Sequence, residues 1–359
     1  MNNPITQFVI QCIKPDTICA KAKNLTPPEF LLEPISWLKA LALSEKLYCK
    51  LPFLVNIDRT TWKKEIPESI QIQLDEQLKR ELMLFEILEN ELNSVLFLLI
   101  NAGVPTLLIK GLGLANRFYP EKIYRPVTQI QLFVWKETFF DIIHALGHGG
   151  YEILPNSPGN QNFFTVTKRG GGPLIKFQKT LFHIFPKSLP NSLDEACWHM
   201  ALENQIPSLP GKLKVLNEED ELFNLVYMAT GDHLLESPVI LNDLHFLIES
   251  PSFQKKADWD RVIWHFAHYR LLASAWFVLK FLSLHWNTRV PKEMFKDTEK
   301  EIGFFKKKWL SGLADPYSWF STEEKSFVWT LRSKYLLRGN AFDAIKYSIK
   351  HKEQPSLWV

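Results

Sequence analysis

From Ile70 to about Ala102, apolar residues recur mostly at three- and four-residue steps, through Leu74, Leu78, Leu82, Leu84, Leu88, Leu92, Val95 and Leu96. That spacing is the repeat of one helix face. It stops at Gly103-Val104-Pro105, and Thr106 to Ile109 follows as an apolar run of strand length. A long helix delivered straight into a short strand restricts the chain to folds that mix the two elements. The mixed texture continues to about residue 185. Lys110-Gly111-Leu112-Gly113-Leu114-Ala115 opens a short helix that ends near Tyr119-Pro120, and Ile130 to Val134 reads as a second strand. Thr138 to Leu146 reads as a helix stopped by Gly147 to Gly150. Phe163 to Thr167 and Leu174 to Phe177 read as a hairpin joined through Arg169 to Pro173.

The flanking sequence is helical in pattern. Ile35 to Ser44 is apolar at helical spacing, with Pro27, Pro28, Pro34 and Pro67 as punctuation. Beyond residue 185, helices are expected over Ser192–Ala201, Glu218–Thr230, Pro238–Ile248, Trp259–Tyr269 and Leu271–His285, and the tail from Thr322 continues in that style. The expected class is α+β and predominantly helical, with a small mixed sheet. The expected organisation is an N-terminal helical region (1–102), an α/β core (103–185) and a C-terminal helical domain (186–359).

Bulk properties narrow the function classes. Net charge is 42 − 39 = +3, too small to indicate nucleic acid. The 26 Phe and 12 Trp read as packing side chains rather than base-stacking platforms. Cys12, Cys19, Cys49 and Cys197 form no CxxC pair, so neither a zinc knuckle nor a redox motif is indicated, and reduced thiols in a cytoplasmic protein are expected. Asn101, Pro105 and Lys110 interrupt the most apolar stretch, Val95 to Leu114, so no membrane span is expected.

The middle segment has a specific order: a long helix, Gly103-Val104-Pro105, a short strand, Lys110-Gly111, Tyr119-Pro120, Arg125, a strand, a helix and Gly150-Tyr151. In this order it resembles a bacterial family of uncharacterised nucleotidyltransferases of the polymerase-β type. The likeness extends to Ile35–Ala42 on one side. On the other it takes in Asp232-His233, Asn242-Asp243, Asp258-Trp259 and Val290-Pro291. The resemblance implies a nucleotidyltransferase-like sheet with a strand of the form Asp-x-Asp. Two aspartates two residues apart on a strand point the same way, and they hold the Mg²⁺ ions that neutralise a triphosphate. It also implies a third acidic residue and a histidine on a neighbouring strand.

This chain departs from that pattern at the acidic positions. The Asp-x-Asp places fall on Gln129 and Gln131, the third acidic place on Lys176 and the histidine on Gln178. Between residues 103 and 185 there are nine basic residues and four acidic ones (Glu121, Glu137, Asp141 and Glu152), a balance of 9 − 4 = +5. Two amides and an ammonium are poor ligands for divalent cations. The expectation is therefore a catalytically impaired nucleotidyltransferase-fold protein, with Gln129, Gln131 and Lys176 as degenerate catalytic positions and no metal or cofactor. Lys110, Gly111 and Arg125 are the expected ligand-binding residues, suited to phosphates or other anions. The expected partners are a nucleotide or anionic ligand, or a peptide or protein. One alternative is an active enzyme that holds Mg²⁺ on Glu121, Asp141 or Glu152; another is a helical scaffold with exposed aromatics at Phe304, Phe305, Trp309, Trp319, Phe320 and Trp329. His144 with His148 and His265 with His268 have helical metal-ligand spacing but no third ligand, and read as ordinary surface or core histidines. His233 and Asp243 read as a hydrogen-bonded pair. Glu218 to Glu221 read as an acidic first turn, and Lys306 to Lys308 as a solvated helix face.

Overall fold

The computed structural model describes residues 3–154, 163–182, 192–203, 213–230 and 238–302. Four helices lead in: α1 (Pro4–Ile13), α2 (Pro15–Cys19), α3 (Pro34–Lys46) and α4 (Lys50–Asp58). Proline occupies the first turn of α1, α2 and α3, where its missing N–H costs nothing, and the Asn3 side chain caps α1 by accepting from Ile5 N. The long apolar pattern is α5 (Glu68–Asn101), 34 residues and about 51 Å long at the usual rise. It ends where Gly103 takes φ +71° and Val104 N–H donates back to Leu99 O, a glycine-terminated C-cap.

The sheet region follows as β1 (Leu107–Leu108), α6 (Gly111–Phe118), β2 (Ile130–Phe133), α7 (Phe139–His148), β3 (Tyr151–Ile153), β4 (Phe163–Lys168) and β5 (Ile175–Gln178). Next come α8 (Ser192–His199), β6 (Leu202–Glu203), β7 (Lys214–Val215), α9 (Glu218–Thr230) and α10 (Pro238–Glu249). The last described helices are α11 (Pro251–Lys256), α12 (Trp259–His268), α13 (Leu272–His285) and α14 (Lys292–Ile302). The tail from Thr322, the Lys306–Lys308 run and the aromatics from Phe304 to Trp329 lie outside the described residues.

Seven strands form one mixed sheet in the order β3-β4-β5-β2-β1-β7-β6, with β2/β5 and β1/β7 parallel. Residue periodicity places the hairpin β4–β5 and the strand β2 within a residue or two of where they lie. It misses β3 and the two-residue strands β6 and β7, which are too short to show any alternation. The helix expected to stop at Gly147 runs on to His148, because Gly147 sits in open space in the last turn; the break comes at Gly150, with φ +83°.

Side-chain alternation gives the sheet two different faces. Leu108, Ile130, Leu132, Phe164, Val166, Ile175 and Phe177 pack with Leu88, Leu92 and Leu96 of α5 and Ile142 and Leu146 of α7. The opposite face contributes Leu107 and Phe133 to a larger core that joins α1, α3 and α4 to α9, α10, α12 and α13. The helices on either side of the sheet in sequence therefore share one interior. Buried amides stitch them together: Asn242 Nδ2 donates to Ile13 O at 2.8 Å, and Trp286 Nε1 donates to Asn242 Oδ1 at 2.7 Å.

One buried carboxylate fixes the helices to the sheet. Asp243, on the fully buried α10, accepts from Tyr119 Oη (2.7 Å), Arg125 Nε (3.0 Å) and Arg125 Nη2 (2.8 Å). The Asp243 side chain is 0% exposed and that of Arg125 14%. Burial opposes the charge on Arg125, but the attraction and hydrogen bonds of Asp243 hold the guanidinium pKa above its ordinary value. Burial, and then the Asp243 charge, push the Tyr119 hydroxyl well up, so it stays a donor. His233, the expected partner of Asp243, lies outside the described residues.

Removing one partner strands a buried charge. Asp243→Asn and Arg125→Ala should each lower stability by about 3–5 kcal/mol. The double change Arg125→Met with Asp243→Leu should cost less than the sum of the singles in urea unfolding.

Candidate functional site

The candidate site begins at the turn between β1 and α6. Lys110 has φ +60° and ψ −171°, a backbone region populated almost only by glycine. Gly111 follows at φ +45°, and a Cβ there would lie 3.4 Å from Val127 Cγ1 and 3.7 Å from the Gln129 carbonyl oxygen. Gly111 therefore lets the start of α6 close on the segment that leads into β2. Lysine at a glycine-only conformation costs about 1–3 kcal/mol, so its side chain is held at this turn against the preference of its own backbone.

The turn abuts the polar face of the sheet. Ile109 N–H donates to Gln131 O at 3.3 Å, and Gln131 pairs in parallel register with Lys176 of β5. Lys176 in turn pairs with Thr165 of β4, so Gln131, Lys176 and Thr165 point the same way. Gln129, one residue before β2, continues the alternation and is half-buried. Lys176 is buried, with its ammonium 4.1 Å from the centre of the Phe163 ring, and Gln178 is buried on the same face. Gln131 Oε1 is buried without a hydrogen-bond partner. The structure thus brings together Lys110, Gly111, Gln129, Gln131 and Lys176. Arg125 is directed elsewhere: two of its nitrogens bind Asp243 and the third, Nη1, donates to Pro126 O.

Mg²⁺ needs several hard oxygen ligands, mostly carboxylates. Here the strand offers two neutral amides, and the neighbouring strand offers an ammonium in register with one of them. The residues do not fit two divalent cations. The remaining acids of the segment do not repair this. Glu121 is held by Arg59 (2.8 Å) and Lys21 (3.0 Å), whose hydrogen bonds lower its pKa to about 2. Asp141 is exposed in the first turn of α7. Glu152 is exposed on β3, three strands from Gln131 and so roughly 14 Å away at ordinary strand spacing. Among the described residues no group of three or more His, Cys, Asp or Glu side chains is arranged to hold a metal ion. His144 and His148 meet at 3.2 Å between Nε2 atoms on the exposed side of α7, and no third ligand joins them.

Sequence patterning misses a second tier of charge beside this turn. The acidic run Glu218–Glu221 forms the first turn of α9 as expected, and within it Asp220 and Glu221 are buried. Glu221 Oε2 lies 3.3 Å from Arg117 Nη1 of α6, while Arg117 Nη2 donates to Leu216 O at 2.9 Å. Glu221 and Asn224, one turn further along α9, are buried beside each other, and a hydrogen bond from Asn224 favours the Glu221 carboxylate. Burial raises the Glu221 pKa to about 7. Asp243 adds to the rise, while Arg117, Asn224 and Lys110 work against it. The signal available in the sequence was an acid followed at once by Leu222 and Phe223 in an otherwise apolar helix, which marks an inward position.

The mixed sheet is reached from a Lys-Gly turn and backed by helices, in the order of elements that the motifs suggested. The chain belongs to the family described as uncharacterised nucleotidyltransferase, which it matches over residues 33–287. No curated protein matches the chain. No described helix is long and apolar enough to cross a membrane.

Two outcomes follow from this geometry. Lys110→Gly should raise stability by about 1 kcal/mol, because relief of about 1–3 kcal/mol of backbone strain outweighs the 0.5–1 kcal/mol that glycine adds in unfolded-state entropy. Glu221 binds its proton more tightly when folded than when unfolded, so its contribution is fully present at acid pH. That contribution is lost as pH rises from the ordinary glutamate range through about 7. Between pH 5 and 7, stability should fall more steeply for the native protein than for Glu221→Gln, by about 1–3 kcal/mol over the interval in parallel urea titrations.

Proposed function

We propose that this chain is a nucleotidyltransferase-family protein that works by binding an anionic ligand, such as a nucleotide or another phosphorylated group, without metal-dependent transfer. One observation carries the reading: Lys176 stands in register beside Gln131, at the place where such a site would need carboxylates. An ammonium and two amides favour phosphate oxygens over a divalent cation. The strained Lys110, the N–H groups at the start of α6 and the close approach allowed by Gly111 add donors directed at the same region. Arg125 is assigned a supporting part here, since its guanidinium is engaged by Asp243.

Isothermal calorimetry with ATP, GTP, CTP and UTP, each with and without Mg²⁺, tests this. The expected result is binding to at least one nucleotide that does not require Mg²⁺ and weakens ten-fold or more in Lys110→Ala. Binding only in the presence of Mg²⁺, with chelator-sensitive incorporation into an acceptor, would instead establish an active transferase. The absence of binding in every condition would leave the fold as a scaffold for a peptide or protein partner. Replacing Gln129, Gln131 and Lys176 together by Asp should create Mg²⁺ affinity that the native chain lacks.

A further inference from the structure

Helix α5 carries apolar side chains on two sides. One side, with Leu74, Leu88, Leu92, Val95 and Leu96, is buried in the core. On the other, Ile72, Met83, Ile87 and Phe97 are between 44% and 64% exposed. At about 100° per residue these four lie within roughly 40° of the line through Met83, opposite the buried side. Leu84, 41% exposed, flanks them. A single exposed apolar residue is ordinary, but four aligned on the outer face of one helix mark a contact surface.

The order of these residues is that of a two-fold. Ile72 and Phe97 are equally far from a midpoint between residues 84 and 85, and Met83 and Ile87 flank residue 85 symmetrically. A second α5 laid antiparallel about this midpoint therefore sets Ile72 against Phe97 of the other copy and Met83 against its Ile87. The charges agree. Asp75, Glu81 and Glu89, on the flanks of the helix, are engaged by Lys63, Lys50 and Lys122. Glu76, Lys79, Arg80 and Glu86, on the outer face, are exposed and form no ion pair among the described residues. Antiparallel overlap places Lys79 and Arg80 opposite Asn90, with Glu86 of the other copy about one turn away, and Glu76 opposite Ser94. A parallel pair would set each of the four charges against its own copy, which repels.

We propose that two copies of this chain associate through the outer face of α5, antiparallel, with Ile72 seated against Phe97 and Met83 against Ile87. The contact strip runs from Ile72 to Phe97, about 38 Å long and about 10 Å wide, or roughly 400 Å² per copy. That is about half the area of a standard interface on each side, which places the dimer in the micromolar range rather than among obligate assemblies. The surface lies on the side of α5 away from the core, and the pairing does not depend on the ligand-binding reading.

Light scattering on the full chain after size exclusion, over about 1–100 μM, tests this. The mass is expected to rise across the series from that of one chain to that of two. Met83→Glu, which sets a carboxylate against Ile87 of the other copy, should raise the dissociation constant about ten-fold or more. Met83 is a surface residue, so its variant keeps a folded monomer. Orientation is read by mixing the Ile72→Cys and Phe97→Cys proteins with a short bis-maleimide, each in a Cys19→Ser background because Cys19 is the exposed native thiol. The expected product joins position 72 of one copy to position 97 of the other. A monomer at the highest concentration would overturn the proposal and leave the outer face to a different partner. A dimer indifferent to Met83→Glu, or linkage of position 72 to position 72 in place of the mixed product, would overturn it as well.

Discussion

A single carboxylate, that of Asp243, determines how the helical part of this protein meets its sheet. A buried anion is tolerated only when its lone pairs are filled by good donors, and a buried guanidinium only when an anion neutralises it. Tyr119 and Arg125, which bracket the loop between α6 and β2, meet both conditions at once. The loop that carries Val127 and Gln129 to the start of β2 is thereby held from the α10 side, and the closeness of Gly111 to Val127 and Gln129 follows from it. The position of the Lys110 turn relative to the sheet is thus set by an interaction made with α10.

That arrangement also places the negative charge near the Lys110 turn. In a metal-dependent transferase the sheet face is built around fixed negative charge. Here the carboxylates nearest the turn, Glu221 and Asp243, belong to the helical half, and each faces an arginine: Arg117 for Glu221, Arg125 for Asp243. Negative charge remains in the neighbourhood, but it is spent on holding α6 and its following loop in place. The sheet face itself carries the amides of Gln129 and Gln131 and the ammonium of Lys176.

Much of the architecture is legible in the residue pattern, because long helices repeat their signal many times. The α5 periodicity, the α9, α10, α12 and α13 helices and the β4–β5 hairpin could all be read to within a few residues. So could the order of motifs that leads to the family. Short elements could not: β6 and β7 are two residues each and owe their existence to neighbours already in the sheet. The places of Gln131 on β2 and Lys176 on β5 were legible because each strand shows as a short apolar run. The site's second tier was not. The pairing of Arg117 with Glu221 spans 104 residues and that of Arg125 with Asp243 spans 118, and nothing in local spacing marks such partners. The sequence offers Arg125 as an anion ligand, and only the packing of α10 reveals that its anion is internal.

The shared interior of the first and last described helices has a consequence for biosynthesis. Phe8 of α1 packs on Phe30, Trp37 and Phe53, but the carbonyl of Ile13 is satisfied by Asn242, 229 residues later in the chain. At ordinary translation speeds of about 5–20 residues per second, α1 waits roughly 10–45 s before its partners leave the ribosome. Throughout that interval the carbonyl at the end of α1 is without the amide that satisfies it. The fold therefore cannot be completed segment by segment from the N-terminus, and it places this protein among those whose early folding depends on keeping nascent chains from one another.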